Sequence, residues 1–247
     1  MVKNNILILA VTFLTLTVRP QEACEVSVRY IGHSCFLITT SKGVQILTDP
    51  VEFKGYHFPK GIKPDIVTIS HNHIDHNRVD VVEGNPRIIY GCQSNKKVEP
   101  IDVVVNKVRI FTVPSYHDPG KHGVNAIFVF DFDGIRVVHL GDLGMVLSDD
   151  QIRALGNVDF LMIPVGGQFT ITVTEANKVV EQLKIRRAVF PMHYKTEAFT
   201  DLPYSVDVFL QNKHNVKRIN GNEVKFNLKI KPLNTDIYVL DYKQMNE

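Results

Sequence analysis

Cysteine is scarce in this chain: Cys24, Cys35 and Cys92 are the only three in 247 residues. Three thiols without paired spacing exclude a disulfide framework and a cysteine-based structural zinc site. Cys35 lies in an apolar stretch and reads as a small buried hydrophobe. An excess of one charge is also lacking, since 28 Lys and Arg stand against 26 Asp and Glu, a formal net charge of +2. The densest basic stretch, "KIRR" at 184–187, follows a helical pattern and reads as a solvated helix end. Nucleic acid is therefore not an expected partner. No apolar run is long enough to cross a bilayer comfortably. The "ILILAVTFLTLTV" run near the start instead has the length of a signal-peptide core. Residues 1–24 are accordingly expected to be a signal peptide, and the mature chain an exported one, periplasmic or secreted, without a transmembrane span. The alternative is a buried N-terminal strand or helix in a cytoplasmic protein. Ala23 offers a cleavage residue, although Gln21 departs from the small residue expected two positions earlier, and "QEAC" lacks the usual lead-in to a lipid-anchored Cys24. No Ser/Gly-rich linker divides the remainder, so 25–247 reads as one domain. Its 44% hydrophobic residues are enough for a large core.

Histidine and aspartate, by contrast, are concentrated. Residues 70–77 read "SHNHIDHN", and four of them, His71, His73, Asp75 and His76, carry metal-binding side chains. The run follows "DIVTIS", a short apolar strand pattern, so these side chains sit on the loop where a strand ends. An adjacent Asp-His pair two residues after His-x-His cannot aim all four groups at one ion without strain. His71 and His73 can converge on one metal, leaving Asp75 and His76 to face a second. Each ion then needs further ligands, and other strand ends are their natural source. Three stand in that position: His117 after "IFTVPSY", Asp142 after "VVHLG", and His193 after "AVFPM". Gly141 and Gly144 flank Asp142 and let the backbone pack closely there. Any one of these alone reads as a solvated loop residue; together with the 71–76 run they read as a ligand set.

The surrounding pattern is of the α/β class. "SCFLITTSKGVQILTDP" and "NAIFVFDFDGIRVVHLGD" each read as strand, turn, strand, then an acidic residue, Asp49 and Asp142. Two such hairpins predict two facing sheets. Helices are expected at 173–184, where Thr172 and Glu175 form a capping-box pair, at 148–155 with Ser148 as cap, and near 204. Strands return from about 216.

"SHNHIDH", His117, Asp142 in "HLGDLG" and His193 in "FPMHY" resemble the metallo-β-lactamase superfamily in order and context. "IGHSCFLI", "TVPSYHD", "GVNAIFVF" and "FLMIPVGG" resemble its branch of ascorbate-6-phosphate lactonase-like proteins, so the likeness covers roughly residues 26 to 200. The resemblance implies a four-layer αββα sandwich of two mixed sheets with the site at one edge. It implies His71, His73 and His117 on one metal, Asp75, His76 and His193 on a second, and Asp142 bridging. It further implies a hydrolase in which water ionised between two divalent ions, zinc first and manganese or iron as alternatives, attacks an ester, lactone or phosphodiester of a small or lipid-like substrate. Asp75 would orient that nucleophile, and His33 in "IGHSC" would reach the substrate side. Asp142 stands where many true β-lactamases carry Cys, so antibiotic hydrolysis is not expected. The motif also departs from the His-x-Glu-x-Asp form of the oxygen-reducing members. Met145 stands where the close branch often has His. Asp49 is the expected acceptor behind a metal-binding imidazole. Asp118 and Asn125 are weaker candidates near the site, and His139 reads as structural. His57, His122 and His214 lack a supporting context, and "GYHFP" at 55–59 reads as a surface turn with a lid over the site as the alternative. A non-catalytic metal-binding or sensing protein and a nuclease are the competing classes. A homo-oligomer is compatible with everything above.

Overall fold

The computed structural model describes residues 24–93, 96–118, 120 and 122–243. The expected signal segment at 1–24 therefore lies outside them, apart from Cys24, whose carbonyl accepts a hydrogen bond from Leu228 N at 2.7 Å. The first sheet contains β1 (Glu25–Gly32), β2 (Cys35–Thr39), β3 (Gln45–Thr48), β4 (Ile66–Ile69), β5 (Arg87–Tyr90) and β13 (Glu223–Asn227), in the order β13-β1-β2-β3-β4-β5. The second contains β6 (Asp102–Val105), β7 (Val108–Tyr116), β8 (Val124–Phe132), β9 (Ile135–His139), β10 (Phe160–Pro164), β11 (Ala188–Met192), β12 (Val216–Arg218) and β14 (Asp236–Val239), in the order β12-β14-β11-β10-β9-β8-β7-β6. The two predicted hairpins are β2–β3 in one sheet and β8–β9 in the other. The second turns through Asp133 and Gly134, both at positive φ, the backbone that a two-residue hairpin loop requires.

Alternation along the strands decides the layering. Inner-face residues such as Val28, Phe36, Ile38 and Ile46 of the first sheet pack against Ile110, Phe128, Phe130 and Phe160 of the second, forming the central core. The outer face of the second sheet, with Ile127, Val129, Val138 and Leu161, is covered by α1 (Asp149–Leu155), α2 (Val173–Leu183) and α3 (Val206–Leu210). Ser148 and Thr172 form complete capping boxes with Gln151 and Glu175. The outer face of the first sheet is different. Leu37, Leu47 and Val67 there are buried under Val51, Tyr56, Ile62, Phe199 and Leu202. Among the described residues, that layer is built of loops and a 3-10 turn at Val79–Val81 rather than an α-helix.

Strand direction places the site. β3 and β4 are parallel, and β1 runs the same way because two antiparallel steps, through β2, relate it to β3. By the same reasoning β7, β9, β10 and β11 share one direction. The C-terminal ends of β1, β3 and β4, and of β7, β9 and β11, deliver His33, Asp49, His71, His117, Asp142 and His193. Ligand sites in sheets of this kind form outside those ends.

Candidate metal centre

The seven side chains singled out by the sequence converge. The ligating atoms of His71, His73 and His117 lie within 4.8 Å of one another, and so do those of His33, Asp75, His76 and His193. Asp142 stands between the two groups. Its Oδ2 is 3.2 Å from His193 Nε2, 3.3 Å from His117 Nε2, 3.4 Å from His76 Nε2 and 3.8 Å from His71 Nε2. One carboxylate oxygen is thus shared by imidazoles of both clusters.

The far side of each ring explains how it is aimed. Asp49 is fully buried and takes Ser70 N at 2.8 Å, Ser70 Oγ at 2.6 Å and His76 Nδ1 at 2.9 Å. Because Ser70 Oγ donates to Asp49, it accepts from His71 Nδ1, 2.9 Å away. Both imidazoles therefore carry a proton on Nδ1, which leaves Nε2, on the Asp142 side, as the atom available to a metal. Asn125, also fully buried, accepts from Asp142 N through Oδ1 at 2.9 Å and donates through Nδ2 to Ser115 Oγ and Leu140 O. It fixes the backbone of Asp142. Gly141 and Gly144 permit the close approach anticipated for them. A Cβ at Gly141 would lie 2.2 Å from Asn125 Oδ1, and one at Gly144 would lie 2.3 Å from the His117 carbonyl oxygen.

Several expectations are refined by these contacts. His33 is 1% exposed and its Nε2 is 3.0 Å from Asp75 Oδ2, so it stands behind Asp75 instead of on the open side of the site. His139 is structural, with Nε2 donating to Ser34 O at 2.8 Å. Asp118 accepts from His122 N and Gly123 N and shapes its own loop. His57 pairs with Glu52 on the surface. Tyr56 is buried in the outer core, so "GYHFP" is not an open lid. Instead the two residues just before it, Phe53 and Lys54, line the cavity over the cluster, together with Phe169, Phe199 and Asp201. That cavity has a volume of about 300 Å³. Ser70, Phe53, Lys54 and Phe199 were not marked by sequence. Ser70 had a signal, as the last residue of a strand before the His-rich run, whereas the others belong to irregular loops.

Burial and neighbouring charges oppose each other across the site. It pushes His71 well below the usual imidazole range and His33 down to about 4, so both are neutral near pH 7. Burial alone would raise the Asp142 carboxyl, but the His193 and His76 imidazoles outweigh it and hold Asp142 ionised. Burial alone would lower His76, but Asp142 and Asp75 outweigh it and raise His76, so a proton and a cation compete for the same Nε2.

The residues fit a bound divalent metal. His76 Nε2, His117 Nε2 and Asp142 Oδ1 are buried without a hydrogen-bond partner, and the two imidazole nitrogens lie 3.4 and 3.3 Å from the other carboxylate oxygen, Asp142 Oδ2. Buried polar atoms are costly when unpaired, and a bound cation would give these imidazole nitrogens a partner. The imidazole and carboxylate donors suit zinc, manganese or iron.

Comparison with known proteins agrees with this geometry. Residues 27–193 match the Beta-lactamase superfamily domain. The UPF0173 metal-dependent hydrolase of Pyrococcus furiosus is 34% identical over 198 residues, which cover 69% of this chain and 85% of that protein. Its counterpart in Thermococcus onnurineus is 32% identical over 194 residues, with the same coverage. Among solved structures, a Thermotoga maritima protein assigned to the Zn-dependent hydrolases of the metallo-β-lactamase superfamily is 36% identical, with a TM-score of 0.71, covering 87% of this chain and 98% of its own. Igni18, a metallo hydrolase of Ignicoccus hospitalis, shares the fold at 23% identity and a TM-score of 0.59, over 82% of this chain and 98% of its own. By fold, by ligand-bearing strand ends and by these relatives, the chain belongs to the metallo-β-lactamase superfamily and is one of its metal-dependent hydrolases.

Proposed function

We propose that this hydrolase works with two divalent cations and cleaves an ester, lactone or phosphodiester bond in a small or lipid-like substrate. The observation that carries the reading is the position of Asp142 Oδ2, within 3.2–3.8 Å of four imidazole nitrogens drawn from both clusters. His71, His73 and His117 would hold one cation, Asp75, His76 and His193 the other, and Asp142 would bridge them. Zinc is the first candidate, given the Zn-dependent assignment of the Thermotoga maritima relative. When bound, two such ions lower the pKa of water and polarise the substrate oxygen. The chain's own residues do the positioning. Asp75 lines the cavity and is held by His33, so it can accept a hydrogen bond from the attacking water and fix its line of approach. His33 acts through Asp75 as a positioning residue. Asp49 and Ser70 keep Nε2 of His76 and His71 aimed inward. The apolar wall of Phe53, Phe169 and Phe199 suits an aliphatic or aromatic substrate portion. Export of the mature chain belongs to the same proposal.

The test is metal analysis by mass spectrometry joined to hydrolysis of an ester, lactone and phosphodiester panel by zinc-, manganese- or iron-loaded protein. Up to two ions per chain and turnover of at least one class are expected. His71→Ala should lose both metal and turnover, by about a hundredfold or more in rate. Undiminished turnover in metal-stripped protein overturns the proposal.

A further inference from the structure

The cavity over the cluster carries one charged element that the ligand set does not use. Residues 53–56 form a tight turn in which Phe53 and Tyr56 exchange backbone hydrogen bonds of 3.2 and 3.0 Å. Lys54 occupies this turn at φ 53, a left-handed conformation unfavourable to a side chain other than glycine or asparagine. A Cβ on the neighbouring Gly55 would lie 2.9 Å from Ala198 Cα, so the turn is pressed against the loop that follows β11. The Lys54 ammonium lies 4.6 Å from the centre of the Phe199 ring and 5.5 Å from that of Phe53. Its charge partner is Asp201 on the opposite loop. Phe199 in turn lies edge-on to His33, at 5.3 Å between ring centres. Among the described residues lining the cavity, Lys54 is the only lysine or arginine.

An ion pair whose side chains are 38% and 57% exposed stabilises a fold little. A strained backbone kept for such a pair therefore points to a use on the cavity side. The lysine is a compact point charge with three donors, suited to an oxyanion. Beneath it are the faces of Phe199 and Phe53.

Resting on the hydrolytic reading above, we propose that Lys54 is a specificity residue. The substrate carries an oxyanion, carboxylate or phosphate, that takes the ammonium from Asp201, while an apolar portion lies against Phe199 and Phe53. Asp201 holds the ammonium over the cavity until the substrate arrives.

The experiment measures calorimetric Kd values of phenylphosphonate and phenylacetate for zinc-loaded protein, in the wild type, Lys54→Met and Asp201→Asn. Lys54→Met should weaken at least one probe by about tenfold. Asp201→Asn should tighten the same probe, because its competitor for the ammonium is gone. The opposite signs separate charge recognition from structural damage, and the probe that responds separates phosphate from carboxylate. Kd values within twofold of wild type for both probes in Lys54→Met overturn the assignment, as does failure of both probes to bind the wild type. If no ester, lactone or phosphodiester is turned over while Lys54→Met still weakens a probe, the hydrolytic reading falls and the anion site stands. Turnover with unchanged Kd values removes the Lys54 assignment alone.

Discussion

Asp49 shows at the scale of one residue how the site is held. It is fully buried, sits at φ 38, and takes all three of its donors from Ser70 and His76. Ser70 Oγ and His76 Nδ1 share Asp49 Oδ2 as acceptor, so an Asn amide N–H₂ at that position would deprive both, and one at Oδ1 would deprive Ser70 N. Asp49→Asn is expected to reduce metal affinity by about 10- to 100-fold, measured by competition with a chromophoric chelator. Unchanged affinity would mean that the imidazoles are oriented by something else. Residues of this kind differ in how visible they are before the fold is known. The 71–76 run, His117, Asp142 and His193 were legible because each polar ligand type directly follows an apolar strand pattern. Asp49 was legible for the same reason. His33 was noticed in its motif, but its place behind Asp75 depends on the turn after β1 and not on any local spacing.

Elements place these residues through a few close crossings. The loop after β9 passes so near the end of β7 that Gly144 N donates to Tyr116 O at 2.8 Å, and a side chain at Gly144 would strike the His117 carbonyl. Gly144→Ala is therefore expected to destabilise the fold by about 1–3 kcal/mol, read by denaturant unfolding. It should also lower metal content, because His117 and Asp142 are pushed apart. A variant of wild-type stability and metal content would show that the two loops yield independently. Most elements were legible: both hairpins, the strand before the ligand run, and α2, whose capping box and buried Ala176, Val179 and Leu183 follow helical spacing. The cover on the outer face of the first sheet was not. Val51, Tyr56, Ile62, Phe199 and Leu202 are scattered along irregular segments, where no period links residues to a shared face. Lys54 and Phe53 were hidden for the same reason.

For the molecule as a whole, folding and metal binding are expected to be linked. The site gathers buried imidazoles and the Asp142 carboxylate with orphaned atoms, an arrangement that costs free energy until a cation satisfies it. Chelator treatment should therefore lower Tm and added zinc should restore it. The size should track occupancy, at about 2.7 kcal/mol for free zinc at 100 times its Kd. A Tm indifferent to chelator would separate the centre from the stability of the fold.

The two sheets are also stitched together where they meet the site. His193 N donates to the His33 carbonyl at 2.9 Å, and Ala126 N to the Ser70 carbonyl at 3.0 Å. Each bond crosses from one half of the sandwich to the other through main chain, which no side-chain substitution removes. A clam-shell parting of the halves around an incoming molecule would have to rip this seam. The cavity wall outside the metal cluster comes from short loop segments at Phe53, Lys54, Phe169, Phe199 and Asp201, so new substrate preferences can evolve by re-tailoring those segments while the seam stays fixed.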